Sequence, residues 1–153
     1  MAMCIILKMN ILKKANDDKL MKNKENGNYR PTYYCEKDKN TGLVWVIPMR
    51  SQFEKYQQIY EKQMKKRREC LTITLGTFDG RKAAFLLQNM FPITEYYLDH
   101  IHTRNGNPIP VNTYTRKIVK HNMTKLRVLI SKGYNVVFPN VRRLEKLIDF
   151  LHN

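Results

Sequence analysis

An excess of positive charge runs through the whole sequence, and any fold of this chain must accommodate it. The 153 residues include 28 Lys and Arg against 13 Asp and Glu, a formal net charge of +15. Residues 1–70 contain 16 basic and 8 acidic side chains, and residues 71–153 contain 12 and 5, so the charge is not confined to a tail. Because a polyanion relieves such self-repulsion, nucleic acid is the leading partner class. A merely solvated basic surface is the alternative.

The length and a hydrophobic content of 42% predict one compact domain over residues 1–153 with a substantial core. The apolar clusters Cys4 to Leu7 and Val44 to Pro48 are far shorter than the roughly 20 residues of a membrane-spanning helix. We therefore expect a soluble, cytoplasmic protein. The three cysteines form no CxxC pair and the four histidines form no ligand motif, so neither a metal nor a cofactor is expected.

The hydrophobic pattern mixes strands and helices without the regular alternation of a parallel sheet. We therefore expect the α+β class, with a mostly antiparallel sheet flanked by helices. Two hairpins and a final strand are expected, at 32–47 (closed by Pro48), 71–87 and 134–138. Helices are expected at 51–69, 94–98, 112–132 and 140–152. The buried face of the third helix is expected to contain Ile118, Leu126, Leu129 and Ile130.

The segment from Pro48 to Lys55 places a hydroxyl at the start of a helix, between two cations. Ser51 is expected to cap that helix, with Arg50 and Lys55 within about one turn of it. Backbone N–H donors and the positive end of the helix dipole bind phosphate at such a position, and the cations would stabilise an anionic transition state. A capping serine near basic residues is also a common structural feature. In the same way, the basic run at 65–68 either suits the helix C-terminus or contacts phosphate.

Four motifs, in this order, resemble the ToxN/AbiQ endoribonuclease toxins of type III toxin-antitoxin systems, and most closely their CptN branch. The motifs are Asp17-Asp18-Lys19-Leu20, Arg30-Pro31, Gly42-x-x-Trp45-x-Ile47-Pro48-x-x-Ser51-x-x-Glu54-Lys55-Tyr56 and Gln88-Asn89-Met90-Phe91-Pro92-Ile93. The resemblance implies a compact single domain with a strongly twisted antiparallel sheet, like the SH3-like barrel core of the MazF/Kid toxins. It also implies a metal-independent RNase in phage defence, with cellular or phage mRNA as substrate.

The activity implied by this resemblance is attack of a ribose 2'-OH on the adjacent phosphorus. The products are a 2',3'-cyclic phosphate and a 5'-OH. Such a toxin processes its own antitoxin RNA and is inhibited by that RNA, a pseudoknot, in a closed toxin-RNA assembly. No cofactor, metal or membrane takes part. A non-catalytic basic RNA-binding module is the alternative function.

The resemblance also implies roles for individual residues. Ser51, Arg50 and Lys55 are the implied catalytic residues, but the family lysine that closely follows the serine has no counterpart at Gln52 or Phe53. Which cation replaces that lysine is therefore open. Resemblance and the basic and aromatic pattern together predict RNA contacts at Asp18, Lys19, Lys22, Lys24, Tyr29, Arg30, Lys65, Lys66, Arg67, Arg68, Tyr114, Arg116, Lys117 and His121. No general base is evident, although His121 is a candidate.

Overall fold

The computed structural model describes residues 3–7, 24–25, 28–29, 32–101 and 103–152, and it has the α+β class that the sequence predicts. The strands are β1 (Met3–Leu7), β2 (Lys24–Glu25), β3 (Asn28–Tyr29), β4 (Thr32–Lys37), β5 (Val44–Arg50), β6 (Thr74–Phe78), β7 (Arg81–Phe85), β8 (Phe91–Ile93), β9 (Leu98–Ile101), β10 (Thr103–Arg104) and β11 (Asn107–Pro108). The helices are α1 (Phe53–Arg67), α2 (Thr113–Ser131) and α3 (Val141–His152).

Seven of the described strands form one antiparallel sheet, in the order β6-β7-β5-β4-β1-β9, with β8 also paired to β5. The remaining strands form two short ribbons, β2-β3 and β10-β11. Within the described ranges, no helix is both long enough and apolar enough to cross a bilayer.

The hairpin β4-β5 positions the start of α1. Its turn is closed by the Asp38 carboxylate, which accepts hydrogen bonds from the backbone N–H groups of Asn40 and Thr41 at 2.8 and 3.3 Å. The prediction that Pro48 ends the second strand is wrong, because β5 continues to Arg50. Pro48 has no backbone N–H to donate, but its carbonyl accepts a hydrogen bond from the backbone N–H of Leu86 at 2.9 Å, which keeps the sheet continuous at that point. Arg50 is therefore the last residue of β5, directly before the link to α1.

Both faces of the sheet are covered by helices. Helix α2 covers the face that carries Trp45, Ile47 and Met49 of β5. The opposite face is divided: α3 packs on Val44 and Val46, and α1 packs on Ala84 of β7. Because β5 is buried on both sides, it is a rigid support for the residues that follow it.

Helix α2 begins at Asn112, whose side-chain oxygen accepts from Thr115 N at 2.9 Å. Of its predicted buried face, only Leu126 is fully buried. The helix is rotated so that Thr115 and Val119 face the sheet as well. Gly76 of β6 permits this orientation, because a Cβ added there would lie 2.9 Å from Thr115 Oγ1.

Two other predictions differ from the structure, and one is confirmed. Residues 134–138 form no strand; Phe138 N donates instead to the carbonyl of Gln88 at 2.8 Å. The helix expected at 94–98 is only a 3-10 turn, Glu95–Tyr97, and it leads into β9, a strand that the sequence pattern did not indicate. The expected terminal helix is confirmed as α3, with Asn140 Oδ1 accepting from Arg143 N at 3.1 Å.

Candidate nucleic-acid interface

Ser51 lies in the exposed link between β5 and α1. The expectation that its hydroxyl caps the helix is wrong: the N-cap is Gln52, which has φ −75° and ψ 64° and makes no side-chain capping hydrogen bond. The backbone carbonyl of Ser51 accepts from Phe53 N at 2.8 Å. The Ser51 hydroxyl therefore takes no part in closing the helix, and α1 begins with amide donors that no capping side chain satisfies.

The predicted cations near Ser51 differ in their placement. Arg50 is half-buried at the end of β5, opposite Ala84 of β7. Lys55 is exposed on α1, and its Nζ lies 5.4 Å from the centroid of the Tyr56 ring. The two cations thus approach the helix start from the sheet and from the first helical turn, respectively.

Lys82 is a third cation at this helix start, and sequence reasoning did not identify it. Its Nζ lies 5.2 Å from the centroid of the Phe53 ring, at the first residue of α1. Lys82 belongs to β7, 31 residues after Ser51 in the sequence, so no local motif connects the two. Only a prediction that β7 pairs with β5 would have placed Lys82 near Ser51.

A cavity of about 400 Å³ lies between β4 and α2. Its floor includes Tyr33 and Met123, both of which are buried. Its charged residues are five cations and one acid: Lys37, Arg116, Lys117, Lys120, Arg127 and Asp38. The cavity therefore has an apolar base and a strongly positive rim.

The one acidic residue that lines the cavity, Asp38, forms an ion pair with Arg127, which lines the same cavity. Arg127 of α2 hydrogen-bonds to Asp38 in an ion pair, and its guanidinium carbon lies 5.1 Å from the Trp45 ring centroid. This hydrogen bond from Arg127, together with the backbone N–H of Asn40, lowers the pKa of Asp38 below its usual value although burial opposes the shift. Lys37 is likewise paired with a carboxylate, that of Glu95, at 3.6 Å. The positive potential of the cavity therefore comes mainly from Arg116, Lys117 and Lys120.

The cavity contains some of the residues that were predicted to contact RNA. Arg116 and Lys117 line it. Tyr114 is 76% exposed in the first turn of α2, where its ring is available for stacking. His121 is exposed on the same helix but does not line the cavity, so it gains no support as a general base from this arrangement.

The structure does not bring the other predicted residues to Ser51. The run Lys65, Lys66, Arg67 and Arg68 lies at the far end of α1, about 20 Å from Ser51 at 1.5 Å rise per residue. Lys24 and Tyr29 are paired across the β2-β3 ribbon, where only the backbone is described. The predictions for Asp18, Lys19, Lys22 and Arg30 fall outside the described residues.

In the part of the chain that the structure describes, no group of three or more His, Cys, Asp or Glu could hold a metal ion. Cys70 is a buried free thiol, and its sulfur lies 3.3 Å from Gln63 Oε1.

Comparison with known proteins finds similarity in structure, to three solved chains. No family model and no curated protein matches the chain. A solved chain, described as "A processed non-coding RNA regulates a bacterial antiviral system", superposes with a TM-score of 0.63. It is 17% identical, and the match covers 94% of this chain and 95% of the other. At this identity, the likeness establishes the fold. The common architecture extends over nearly the whole of both chains.

Proposed function

We propose that this protein is the toxin of a type III toxin-antitoxin system, a ToxN/AbiQ-type endoribonuclease closest to the CptN branch. The observation that carries the proposal is exposed Ser51 beside an uncapped helix start, with Lys55 in the first turn of that helix and the Lys82 ammonium over the ring of its first residue, Phe53. The order of sequence motifs supports it, and so does a fold shared with a protein whose description concerns an antiviral system regulated by RNA.

The proposed reaction needs no metal. The ribose 2'-OH next to the scissile bond loses its proton and attacks phosphorus. The P–O5' bond breaks, and the 5' oxygen takes up a proton. The protein supplies position and charge: Ser51 and the first amides of α1 bind a non-bridging oxygen, while the cations stabilise the phosphorane. RNA is required because the nucleophile is the hydroxyl that DNA lacks.

The cavity between β4 and α2 gives the proposal a second part, the binding of RNA outside the cleavage centre. Its positive rim suits consecutive phosphates, and exposed Tyr114 suits an unpaired base. A folded antitoxin RNA, a pseudoknot in a closed toxin-RNA assembly, would occupy this surface and exclude the mRNA substrate. The toxin would process that RNA and act in the cytoplasm.

A substitution at Ser51 separates this function from that of a non-catalytic RNA-binding module. We expect Ser51→Ala to slow RNA cleavage by about 100-fold or more, the usual effect of losing one donor to a developing oxyanion. RNA affinity should stay within about 3-fold, because the cavity residues are unchanged. The measurements are a cleavage time course and fluorescence anisotropy with a labelled RNA.

Ser131 provides the matched control, since it is the other serine of the chain. Its hydroxyl donates to the Val128 carbonyl at 2.6 Å, near the end of α2. Ser131→Ala should cleave at the wild-type rate. Tight RNA binding by a wild-type protein that cleaves nothing would instead establish the binding module.

A further inference from the structure

We propose that Lys82 is the cation that contacts the scissile phosphate beside Ser51. This inference rests on the proposed nuclease function and assigns a catalytic residue to it. Strand pairing brings Lys82 to the helix start. In the β5-β7 pair, Arg50 lies opposite Ala84 and Met49 opposite Phe85. Because the strands are antiparallel, the residues that precede Ala84 continue alongside the link from β5 to α1.

The side chain of Lys82 points to the same face of the sheet as α1. Lys82 is two residues from Ala84, and alternate residues of a strand share a face. Ala84 packs with Tyr56 of α1, which identifies that face. The position of the Lys82 ammonium over Phe53 agrees with this geometry.

The Phe53 ring gives Lys82 a defined position. A lysine side chain is flexible, and an exposed one ordinarily samples many rotamers. With Nζ 5.2 Å from the Phe53 centroid, the ammonium is attracted to the face of the ring. Phe53 itself is half-buried in the first turn of α1. The ring therefore holds the ammonium at the first residue of α1, two residues after Ser51.

The charges around Lys82 favour an anion. Among the described residues, Lys82 forms no ion pair, and the acid of the adjacent turn, Asp79, is paired with Arg104 at 2.7 Å. The positive end of the α1 dipole lies on the same side, at the first residue of the helix. A phosphate bound there would be attracted by both the ammonium and the dipole.

In the reaction, Lys82 donates a hydrogen bond to a non-bridging oxygen of the phosphate as negative charge builds on it. It acts as a fixed charge and transfers no proton. Lys55 has the smaller role, because its ammonium lies over Tyr56, three residues further along α1 than Phe53.

The test compares Lys82→Met with the wild type in single-turnover cleavage of a short RNA. Methionine keeps a side chain that can pack on Phe53 but removes the charge. We expect the cleavage rate constant to fall by about 100-fold or more, with less than about 3-fold change in KM. Lys82→Arg should recover at least about a tenth of the wild-type rate, and Lys55→Met should lose less than Lys82→Met. Lys62→Met, an exposed lysine further along α1, is the matched control and should be unchanged.

A sulfur substitution in the substrate tests whether Lys82 contacts the phosphate directly or only stabilises the surrounding structure. Replacing the non-bridging oxygen of the scissile phosphate by sulfur should slow cleavage by the wild type. The same replacement should hardly slow cleavage by Lys82→Met, because this variant has no ammonium to contact that oxygen. Melting temperatures report whether each variant is folded. A wild-type rate in Lys82→Met, or an unchanged sulfur effect, would overturn the role of Lys82. A wild-type protein without any cleavage would overturn the nuclease function itself.

Discussion

At the scale of single residues, Asp38 connects the β4-β5 turn to helix α2. Its carboxylate accepts hydrogen bonds from two backbone N–H groups of the turn and from Arg127, and the Arg127 guanidinium lies over the Trp45 ring. This one side chain therefore orders both the turn and one wall of the basic cavity. The sequence offers no hint of the Asp38 to Arg127 pair, because 89 residues separate its members.

The lowered pKa of Asp38 predicts a pH-dependent stability. A carboxyl whose pKa is lower when folded contributes stability above its unfolded pKa of 3.8, and this stability is lost as pH falls through the folded pKa. We expect Asp38→Asn to lower the melting temperature at pH 7, with the gap to the wild type narrowing below about pH 4. Thermal unfolding monitored by circular dichroism from pH 2 to 8 measures this. Glu61→Gln, at an exposed position on α1, is the control. A gap that stays constant over the whole range would contradict the account.

At the scale of elements, the sequence patterns correctly predicted the helices and hairpins that are determined by residues close together in the chain. The hairpins β4-β5 and β6-β7 and the helices α1, α2 and α3 were predicted near their observed bounds because turns, caps and periodicity are local. The pattern failed where partners are distant. The β-rich run at 134–138 has no strand partner among the residues that the structure describes, while β9 pairs with β1. Likewise, the Ser51 link was identified from its motif, but Lys82 and the cavity residues Lys37 and Lys120 were not.

The contact between β6 and α2 predicts coupling between two residues. A Cβ at position 76 would lie 2.9 Å from Thr115 Oγ1 and 3.1 Å from its Cγ2, so Gly76→Ala should cost about 1–3 kcal/mol of unfolding free energy through overpacking. Thr115→Ala removes both atoms. The double variant should therefore be more stable than the sum of the two single effects predicts. Urea unfolding of the four proteins gives the coupling energy, and strict additivity would contradict this close approach.

At the scale of the whole molecule, cations of the described residues gather on three distinct surfaces. One lies at the Ser51 end of α1, one in the cavity between β4 and α2, and one at the opposite end of α1, in the run 65–68. In the proposed function, the first surface serves cleavage and the second serves RNA binding. The even spread of charge along the sequence predicted an extended polyanionic partner but not this division.

The cavity should account for much of the salt dependence of RNA binding. Affinity for a 2'-O-methyl RNA, which cannot be cleaved, should fall steeply with salt, since each single-strand phosphate contact contributes about 0.7 to the logarithmic slope. Replacing Lys117 and Lys120 by serine should reduce that slope by about 1.4. The matched control replaces two exposed lysines elsewhere, Lys132 and Lys146. Equal loss of slope in both double variants would contradict a specific role for the cavity.

The most direct test of the central claim is cleavage of two matched RNAs in EDTA by the purified protein. One substrate is all RNA, and the other has a single 2'-deoxy sugar at the scissile position. The account predicts cleavage of the first only, with a 2',3'-cyclic phosphate and a 5'-OH as product ends. Equal cleavage of both substrates, or no cleavage without a metal, would contradict it.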